Sequence, residues 1–266
     1  MDIKQSLKAC YRRHANLYPK LYNTQQLYSL RLRGRLNYVH EADFRALPLL
    51  GMAAEASCVD VGGNRGQSVT AIKGVLPGAQ IVSFEPNPLA YVCLAKVAKR
   101  RTGVTTHNVA IGASNCETLM FIPRCCGVIF DQLATTQLPD LALFAQTIKD
   151  FGYVFVSSAE LVFDRITVQV RMLDRFRLAP DFIKIDVEGS ELDVLRGAEK
   201  TLQAYKPALL IEGGQRADIE AFLSPRRYRR CVYVEGILSS TVDRRALNHF
   251  YIHEDRMPLS LRKRSD

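Results

Sequence analysis

Residues 59–66 read Val-Asp-Val-Gly-Gly-Asn-Arg-Gly and constrain the fold more than any other stretch of the chain. The small and β-branched residues at 56–61 predict a strand that is covered on both faces. The glycines that follow allow positive φ angles and a close approach of the backbone to a ligand. From Gln67 apolar residues recur with a helical period until Pro77 and Gly78 interrupt them. A strand, a glycine turn and a helix in this order predict the opening unit of a fold that binds a nucleotide cofactor.

The spacing of the glycines distinguishes between classes of cofactor. The dinucleotide fingerprint is G-x-G-x-x-G, and its third glycine would fall at Gln67. The observed register, Asp60-x-Gly62-x-Asn64-x-Gly66, resembles motif I of class I S-adenosylmethionine-dependent methyltransferases, with Asn64 in place of the middle glycine. S-adenosylmethionine (SAM) has no phosphate, so the turn has to accept an amino-acid end and a sulfonium. We expect Asp60 to meet the ammonium through water and turn amides to meet the carboxylate.

A second strand follows at the expected distance. Residues 80–84 are apolar and lead into Glu85-Pro86-Asn87-Pro88. In folds of this class an acidic side chain about 20 residues beyond the glycines hydrogen-bonds the ribose hydroxyls. We assign this role to Glu85; the alternative is an exposed acid at the end of a strand.

The second strong signal lies at residues 181–191, Asp-Phe-Ile-Lys-Ile-Asp-Val-Glu-Gly-Ser-Glu. The apolar residues predict a core strand, and Asp186 follows at its carboxyl end, the edge where doubly wound sheets bind ligands. Ser190 is placed to cap the next helix, and Glu191 suits the first turn of that helix. Asp186 has no such local explanation, because an acid at this edge needs a ligand, a water or a cation.

Four further strands complete the predicted sheet, at 104–111, 207–212, 230–234 and 249–252. Asn108 lies near the carboxyl end of the first, where adenine commonly sits in this fold. His107 beside it is either a base or, more often for a single histidine, a structural residue. The fold class is therefore α/β, with a doubly wound, Rossmann-like, seven-stranded, mostly parallel sheet and one antiparallel strand.

The domain prediction places a methyltransferase-type domain at residues 51–266, preceded by a helical segment at 1–50. That segment could cap the active site, form an oligomer contact or lie on a membrane surface, and the sequence leaves these open. A β-rich insertion at about 113–172 contains a predicted strand at 117–122 and its antiparallel partner at 166–170. Insertions between core strands usually carry specificity, so this one is the candidate wall for the acceptor.

Composition bears on the compartment of the protein, on membrane insertion and on its binding partners. The 266 residues contain seven cysteines and no C-x-x-C pair, which favours a reducing compartment, and we expect a cytoplasmic location. The adjacent Cys125 and Cys126 have poor spacing for a metal site. We see neither a signal peptide nor an apolar run of the roughly 20 residues that a membrane span needs. The net charge of +9 suits nucleic acid, an anionic surface or an acidic substrate, although a solvated basic face is the simpler interpretation.

Four motifs together closely resemble the FkbM family of methyltransferases, over about residues 56–215. They are Val-Asp-Val-Gly-Gly-Asn-Arg-Gly, Phe-Glu-Pro-Asn-Pro, His-Asn-Val-Ala-Ile-Gly and Ile-Lys-Ile-Asp-Val-Glu-Gly-Ser-Glu-x-x-Val-Leu-Arg-Gly-Ala. The last motif is the most specific. Gly63 stands where the family often has alanine, a small-for-small change. The resemblance implies a class I SAM-dependent fold and, as for characterised members of the family, methylation of hydroxyl oxygens on sugars and polyketide-type natural products.

The resemblance also implies the site. Asp186 would lie beside the sulfonium and the acceptor, and we rank it first as the base that activates the hydroxyl, with Glu188 second and His107 third. Alternatively, Asp186, Glu188 and Glu212 hold Mg²⁺, which we rank below a metal-free site. The predicted residues for SAM, or for its product S-adenosylhomocysteine, are Asp60, Gly62, Gly63, Asn64, Gly66, Glu85, Pro86, Asn108, Val109 and Asp186.

Three other functions use a fold of this class. An RNA methyltransferase would share the cofactor half, and the basic ends of the chain could grip phosphates, but no recognisable RNA-binding module accompanies them. A non-catalytic binding protein is disfavoured by the intact glycines, Glu85 and Asp186. A dehydrogenase is disfavoured by the glycine register. The expected partner is a small-molecule, sugar or glycan-type hydroxyl acceptor; peripheral membrane contact and a homo-oligomer stay open.

Overall fold

The structure, a computed structural model, describes residues 14–19, 42–213, 216–240, 248–258 and 261. The described chain divides into two compact units. The smaller unit contains residues 14–19 and 119–167, and the larger unit contains the rest. The boundary between them falls within two strands that continue from one unit into the other, at residues 118–119 and 167–168.

The strands, in chain order, are β1 (Ser57–Val61), β2 (Gln80–Phe84), β3 (Val104–His107), β4 (Ala110–Ile111), β5 (Cys116–Cys125), β6 (Val128–Ile129), β7 (Val162–Arg171), β8 (Phe182–Ile185), β9 (Ala208–Glu212), β10 (Tyr228–Val234), β11 (Ile237–Ser239) and β12 (Asn248–His253). The α-helices are α1 (Gln67–Val75), α2 (Pro88–Ala98), α3 (Leu141–Asp150), α4 (Glu191–Gly197), α5 (Glu199–Tyr205) and α6 (Arg216–Leu223). Short 3₁₀ helices lie at Ala15–Leu17, Ala42–Leu50, Asp131–Leu133, Leu173–Phe176, Ser224–Arg226 and Glu254–Arg256.

The main sheet confirms the predicted doubly wound architecture. Its strand order is β11-β10-β12-β9-β8-β1-β2-β3, and the pairs from β9 to β3 are parallel. β12 is antiparallel to both β9 and β10, which is the predicted antiparallel strand of the closing pair. The short β11 adds an edge strand to the predicted seven. From β1 the chain builds outward to β2 and β3 and later returns to β8 on the other side, so the switch point lies between β1 and β8.

Alternation along the central strands sends successive side chains to opposite faces of this sheet. Cys58 and Phe182 join one apolar cluster, whereas their neighbours Val59 and Ile183 join another. Helices cover both faces, which explains why these strands read as continuous apolar runs. Two buried apolar layers therefore fix the register of β1 and β8, and with it the position of the residues at their carboxyl ends.

Residues 42–50, at the end of the predicted N-terminal segment, are described by the structure and belong to the larger unit. Their 3₁₀ helix buries Phe44 and Leu47 in the first of the two clusters. Most of the predicted segment at 1–50, like the basic tail at 262–264, lies outside the described residues. Its role as a cap or oligomer contact stays a prediction.

The smaller unit has its own apolar cluster. Residues from β5, β6, α3 and the loop after α3 pack together around Cys125, Val128 and Ile148. The second sheet has the order β4-β7-β5-β6, so the predicted insertion is β-rich, and its two predicted strands are neighbours. Among the described residues, no helix is long and apolar enough to cross a membrane.

Two local predictions were wrong. The strand predicted at 104–111 is interrupted at Asn108 and Val109, and its two parts belong to different sheets: β3 pairs with β2, and β4 pairs with β7. The Ser190 side chain makes no capping hydrogen bond to α4, which is followed at Ala198 by the separate helix α5. Instead, the Glu191 carboxylate accepts the N–H of Gly189 at 2.9 Å.

We expect Gly62→Ala to lower the free energy of unfolding more than Gly236→Ala does. The two glycines have nearly equal φ angles of +87° and +89°, so the left-handed penalty of about 1–2 kcal/mol applies to both. A Cβ at residue 62 would lie 1.7 Å from the carbonyl oxygen of Asp186, whereas nothing in the described chain lies within 4 Å of one at residue 236. Overpacking should add about 1–3 kcal/mol at residue 62 alone. Urea unfolding measures the difference, and equal losses would contradict this packing.

Candidate functional site

The site lies where β1, β2 and β8 end together at the switch point. The N–H groups of Gly62 and Gly63 both donate to the carbonyl of Phe84, at 3.0 and 2.9 Å. On the other side of β1, the N–H of Asp186 donates to the carbonyl of Val61 at 3.0 Å. These backbone bonds extend the ladder beyond the strands, so the glycine turn lies between the acid of β8 and the end of β2.

Left-handed backbone explains the residues of this turn. Gly62 and Gly66 have φ angles of +87° and +91°, and Asn64 has +45°. Asparagine tolerates this conformation better than other residues with a Cβ, which accounts for Asn64 in the place of a glycine. Gly63 has a different reason, because a Cβ there would lie 2.1 Å from Oγ of Ser83. The departure from the usual motif thus leaves the shape of the turn intact.

Glu85 ties the glycine turn to the next helix. The residue is 6% exposed, and its carboxylate accepts two backbone N–H groups, from Asn64 to Oε2 and from Asn87 to Oε1, both at 2.7 Å. Asn87 in turn caps α2 by accepting the N–H of Leu89. Each carboxylate oxygen can accept more than one hydrogen bond, so this geometry is compatible with ribose hydroxyls as further donors.

Asn108 and Val109 occupy the break between β3 and β4. The Asn108 amide donates to the carbonyls of Glu85 and Pro86, at 2.8 and 3.0 Å, and holds the loop after β2. Val109 is half-buried and packs against one of the two core clusters. The structure therefore places Asn108 beside the backbone of Glu85, and the predicted contact of Asn108 and Val109 with adenine stays a prediction.

Asp60 is fully buried, and His107 is partly buried. Asp60 is 0% exposed and accepts the Oγ–H of Ser83 at 2.7 Å, so its predicted contact with an ammonium stays a prediction. The His107 ring stacks on Phe84, with centroids 5.2 Å apart and planes at 17°, and contacts Phe176 at 5.1 Å. Burial lowers the pKa of His107, which favours a neutral, packed ring.

A buried lysine organises the acids at the end of β8. The Lys184 side chain is 1% exposed, and its Nζ lies 2.7 Å from Oδ2 of Asp186 and 3.6 Å from Oε2 of Glu212. A buried ammonium is stable only when it is paired, and these carboxylates at the ends of neighbouring strands pair with it. The sequence analysis missed Lys184, although a lysine inside the apolar run Phe-Ile-Lys-Ile was a visible signal.

The carboxyl of Glu188 has a strongly raised pKa. As a residue it is exposed, yet loss of water around its carboxyl, with the charges of Asp186, Glu212 and Glu191, raises its pKa to about 8. Lys184 opposes this shift. The φ angle of Glu188 is +52°, so this acid stands on a left-handed turn before Gly189. Such a perturbed group at a sheet edge indicates a functional site.

The chain fits SAM better than it fits Mg²⁺. Glu85 offers carboxylate oxygens to a ribose, and α1 begins at Gln67 after the N-cap residue Gly66, which has no side chain to cap it, so the first N–H groups of the helix suit a carboxylate. For Mg²⁺, the Lys184 ammonium already lies between Asp186 and Glu212. Among the described residues, Asp186, Glu188 and Glu212 are not found as a group whose ligand atoms converge within 4.8 Å. We therefore derive no step through a metal at this edge.

Comparisons with known proteins agree with this geometry. The family described as "Methyltransferase FkbM domain" matches residues 60–234, more than half of the chain, so the chain belongs to this family of SAM-dependent methyltransferases. Methyltransferase 1 of Beauveria bassiana (strain ARSEF 2860) is 28% identical over 149 residues, 53% of this chain and 57% of that protein. The crystal structure of methyltransferase FkbM from Methylobacillus flagellatus KT matches with a TM-score of 0.51 and 21% identity.

The structural match covers 80% of this chain and 48% of the Methylobacillus chain. This chain therefore spans about half the length of the relatives it matches. At this identity the crystal structure supports the fold, and the family match supports the class of reaction. The acceptor has to be argued from the site itself.

The raised pKa of Glu188 predicts a pH dependence of stability. Between its ordinary pKa of 4.5 and its folded value of about 8, the folded protein keeps a proton that the unfolded chain has released. Stability should therefore fall as pH rises through this window. Glu188→Gln cannot lose that proton, so its free energy of unfolding should fall less between pH 5 and pH 8, as measured by urea unfolding. Glu55→Gln, at an exposed acid, is the control; a fall as steep in Glu188→Gln as in wild type would refute the shift.

Proposed function

We propose that this FkbM-family chain transfers the methyl group of SAM to a hydroxyl oxygen of a sugar, glycan or natural-product acceptor. The observation that carries the proposal is the carboxylate of Asp186. It stands at the carboxyl end of β8, beside the glycine turn, with Oδ2 held 2.7 Å from the Lys184 ammonium. Its side chain is 30% exposed, so a ligand can reach it from solvent. An alcohol is a poor nucleophile until its proton leaves, and a positioned carboxylate supplies the base.

The cofactor half of the proposal uses the residues around the turn. Glu85 would take the ribose hydroxyls of SAM, and Pro86, Asn108 and Val109 would hold its adenine. The amino-acid end lies against the turn of Gly62, Gly63, Asn64 and Gly66, with Asp60 behind it. Bound SAM would supply a methyl group already activated by the sulfonium, so the chain needs to position the acceptor, exclude water and remove one proton.

The surroundings of the three candidate bases rank them. Lys184 engages Oδ2 of Asp186, and we assign Oδ1 to the acceptor hydroxyl. A carboxyl with a pKa of about 8 is mostly protonated at pH 7, so Glu188 is a weaker candidate at neutral pH. His107 is packed against the rings of Phe84 and Phe176 and ranks third. In the reaction, the acceptor oxygen bonds to the methyl carbon as the S–CH₃ bond breaks, and the hydroxyl proton passes to Asp186.

A labelling experiment tests the proposed reaction. We expect purified protein to transfer label from SAM carrying a labelled methyl group to members of a panel of sugars, glycans and hydroxylated natural products. The product should be a methyl ether, which survives mild base, whereas a methyl ester is hydrolysed. Label found only in esters would contradict hydroxyl methylation, and label found only in added RNA would favour the RNA alternative.

The role of Asp186 has its own test, once an acceptor is found. Asp186→Asn should lower kcat by about 10²–10⁴-fold, the usual contribution of a general base. Glu188→Gln should lower it less at pH 7. Asp193→Asn makes the same chemical change at an exposed acid of α4 that pairs with Arg196, and it should leave kcat unchanged. Full activity in Asp186→Asn, or a larger loss in Glu188→Gln, would refute the assignment.

A further inference from the structure

The smaller unit holds a cluster of metal-ligating side chains that the proposed reaction does not use. Cys125, Cys126 and Glu160 each offer one ligand atom, and these atoms all lie within 4.8 Å of one another. Cys125 is buried, while Cys126 and Glu160 are exposed, so the cluster is open to solvent on one side. The spacing in the sequence argued against a metal site here, because neighbouring residues of an extended strand point to opposite faces.

A tight hairpin overcomes that obstacle. β5 ends at Cys125 and β6 begins at its partner Val128, so Cys126 and Gly127 form a two-residue loop. Both loop residues have positive φ, +48° and +78°, as the tightest hairpin turns require. Such loops prefer Asn-Gly or Asp-Gly, and a cysteine at the first position is unusual. The turn rotates Cys126 so that its Sγ lies 3.7 Å from that of Cys125.

This separation matches a coordination geometry. In a tetrahedral zinc site with Zn–S bonds of about 2.3 Å, two thiolate sulfurs lie about 3.8 Å apart. A carboxylate oxygen on the same ion would lie about 3.5 Å from each sulfur. The exposed Glu160 side chain can cover the remaining distance by rotating about its own bonds. Water would complete the four ligands, as it does where protein supplies three.

Ser157 links the two sides of the cluster. Its Oγ–H donates to Oε2 of Glu160 at 2.9 Å, and the backbone of Ser157 also hydrogen-bonds the Cys125 thiol. The buried Cys125 packs in the same apolar cluster as Tyr153 and Leu161, which bracket this turn. Hydrogen bonds to the ligand side chains, such as these from Ser157, are typical of metal sites in proteins, because they orient the groups that bind the ion. Burial and the neighbouring Cys126 raise the pKa of Cys125 to about 11, so a cation here would have to displace its proton.

We propose that Cys125, Cys126 and Glu160 form a binding site for a thiophilic divalent cation of the Zn²⁺ class. The ion links the β5–β6 hairpin to the turn at residues 157–160 and thereby stabilises the smaller unit. The site takes no part in methyl transfer, so its test is independent of the reaction proposed above.

Zinc binding to the full chain tests this site directly. Protein stripped with a chelator and kept reduced with a phosphine is titrated with Zn²⁺ against a chromogenic chelator. We expect one equivalent to bind to the wild type. Affinity should fall at least ~10-fold in Cys126→Ser and in Glu160→Gln, and ~10–100-fold in Ser157→Ala, which removes the group that orients Glu160. Cys116→Ser, at another exposed cysteine of β5, is the control and should bind as wild type.

Two further readouts separate a built site from loose thiol binding. With Co²⁺ as the probe, wild-type protein should show thiolate-to-cobalt charge transfer and tetrahedral d–d bands, both lost in Cys126→Ser. Zn²⁺ should raise the Tm of wild type and of Cys116→Ser, and not that of Cys126→Ser. The proposal is overturned if the wild type binds no stoichiometric Zn²⁺, if Cys126→Ser binds as tightly as wild type, or if Cys116→Ser loses as much affinity as Cys126→Ser.

Discussion

The close approach of β1 to the residue that follows β8 is the constraint on which the site depends. A Cβ on residue 62 would lie 1.7 Å from the Asp186 carbonyl oxygen, so only glycine allows these two backbone segments to approach so closely. The approach places the Asp186 carboxylate directly beside the turn that leads into α1. It also aligns the turn with the end of β2, whose last carbonyl receives two N–H groups from the turn. Backbone packing alone thus brings together the ends of three strands that are distant in sequence.

Electrostatics completes what the backbone begins. Lys184 is buried in the central strand of the sheet and reaches two carboxylates at its edge. The Lys184 side chain is 1% exposed and the Asp186 side chain 30% exposed, so the buried ammonium depends on the carboxylates at the edge to balance its charge. The ammonium therefore keeps Asp186 in one orientation, while Glu188, further along the turn, retains a raised pKa. Lys184 thus engages one of two neighbouring acids, and the other, Glu188, is largely protonated at neutral pH.

The sequence predicted the elements that follow a simple period and missed those that depend on distant partners. β2 and β8 have the predicted bounds, and the doubly wound, mostly parallel class of the sheet followed from the alternation of strands, turns and helices. The break at Asn108 was missed because β4 pairs with β7, some 60 residues further along the chain. The hydrogen-bond and ion-pair partners of Glu85 and Lys184 were not predicted either, because contacts between the ends of different strands leave no local pattern in the sequence. Glu160 beside Cys125 is a further case, because a turn 35 residues away supplies it.

The central claim is that the turn and Glu85 form a SAM site, and a calorimetric titration tests it most directly. Purified protein is titrated with SAM and with S-adenosylhomocysteine, beside Glu85→Ala, with the Tm of each protein measured to verify folding. We expect saturable binding of both ligands at one equivalent and an affinity about 10–100-fold lower in Glu85→Ala, because hydrogen bonds to a charged acceptor contribute that much to binding. A well-folded wild-type protein that binds neither ligand, or a Glu85→Ala variant that binds both as tightly as wild type, would contradict it.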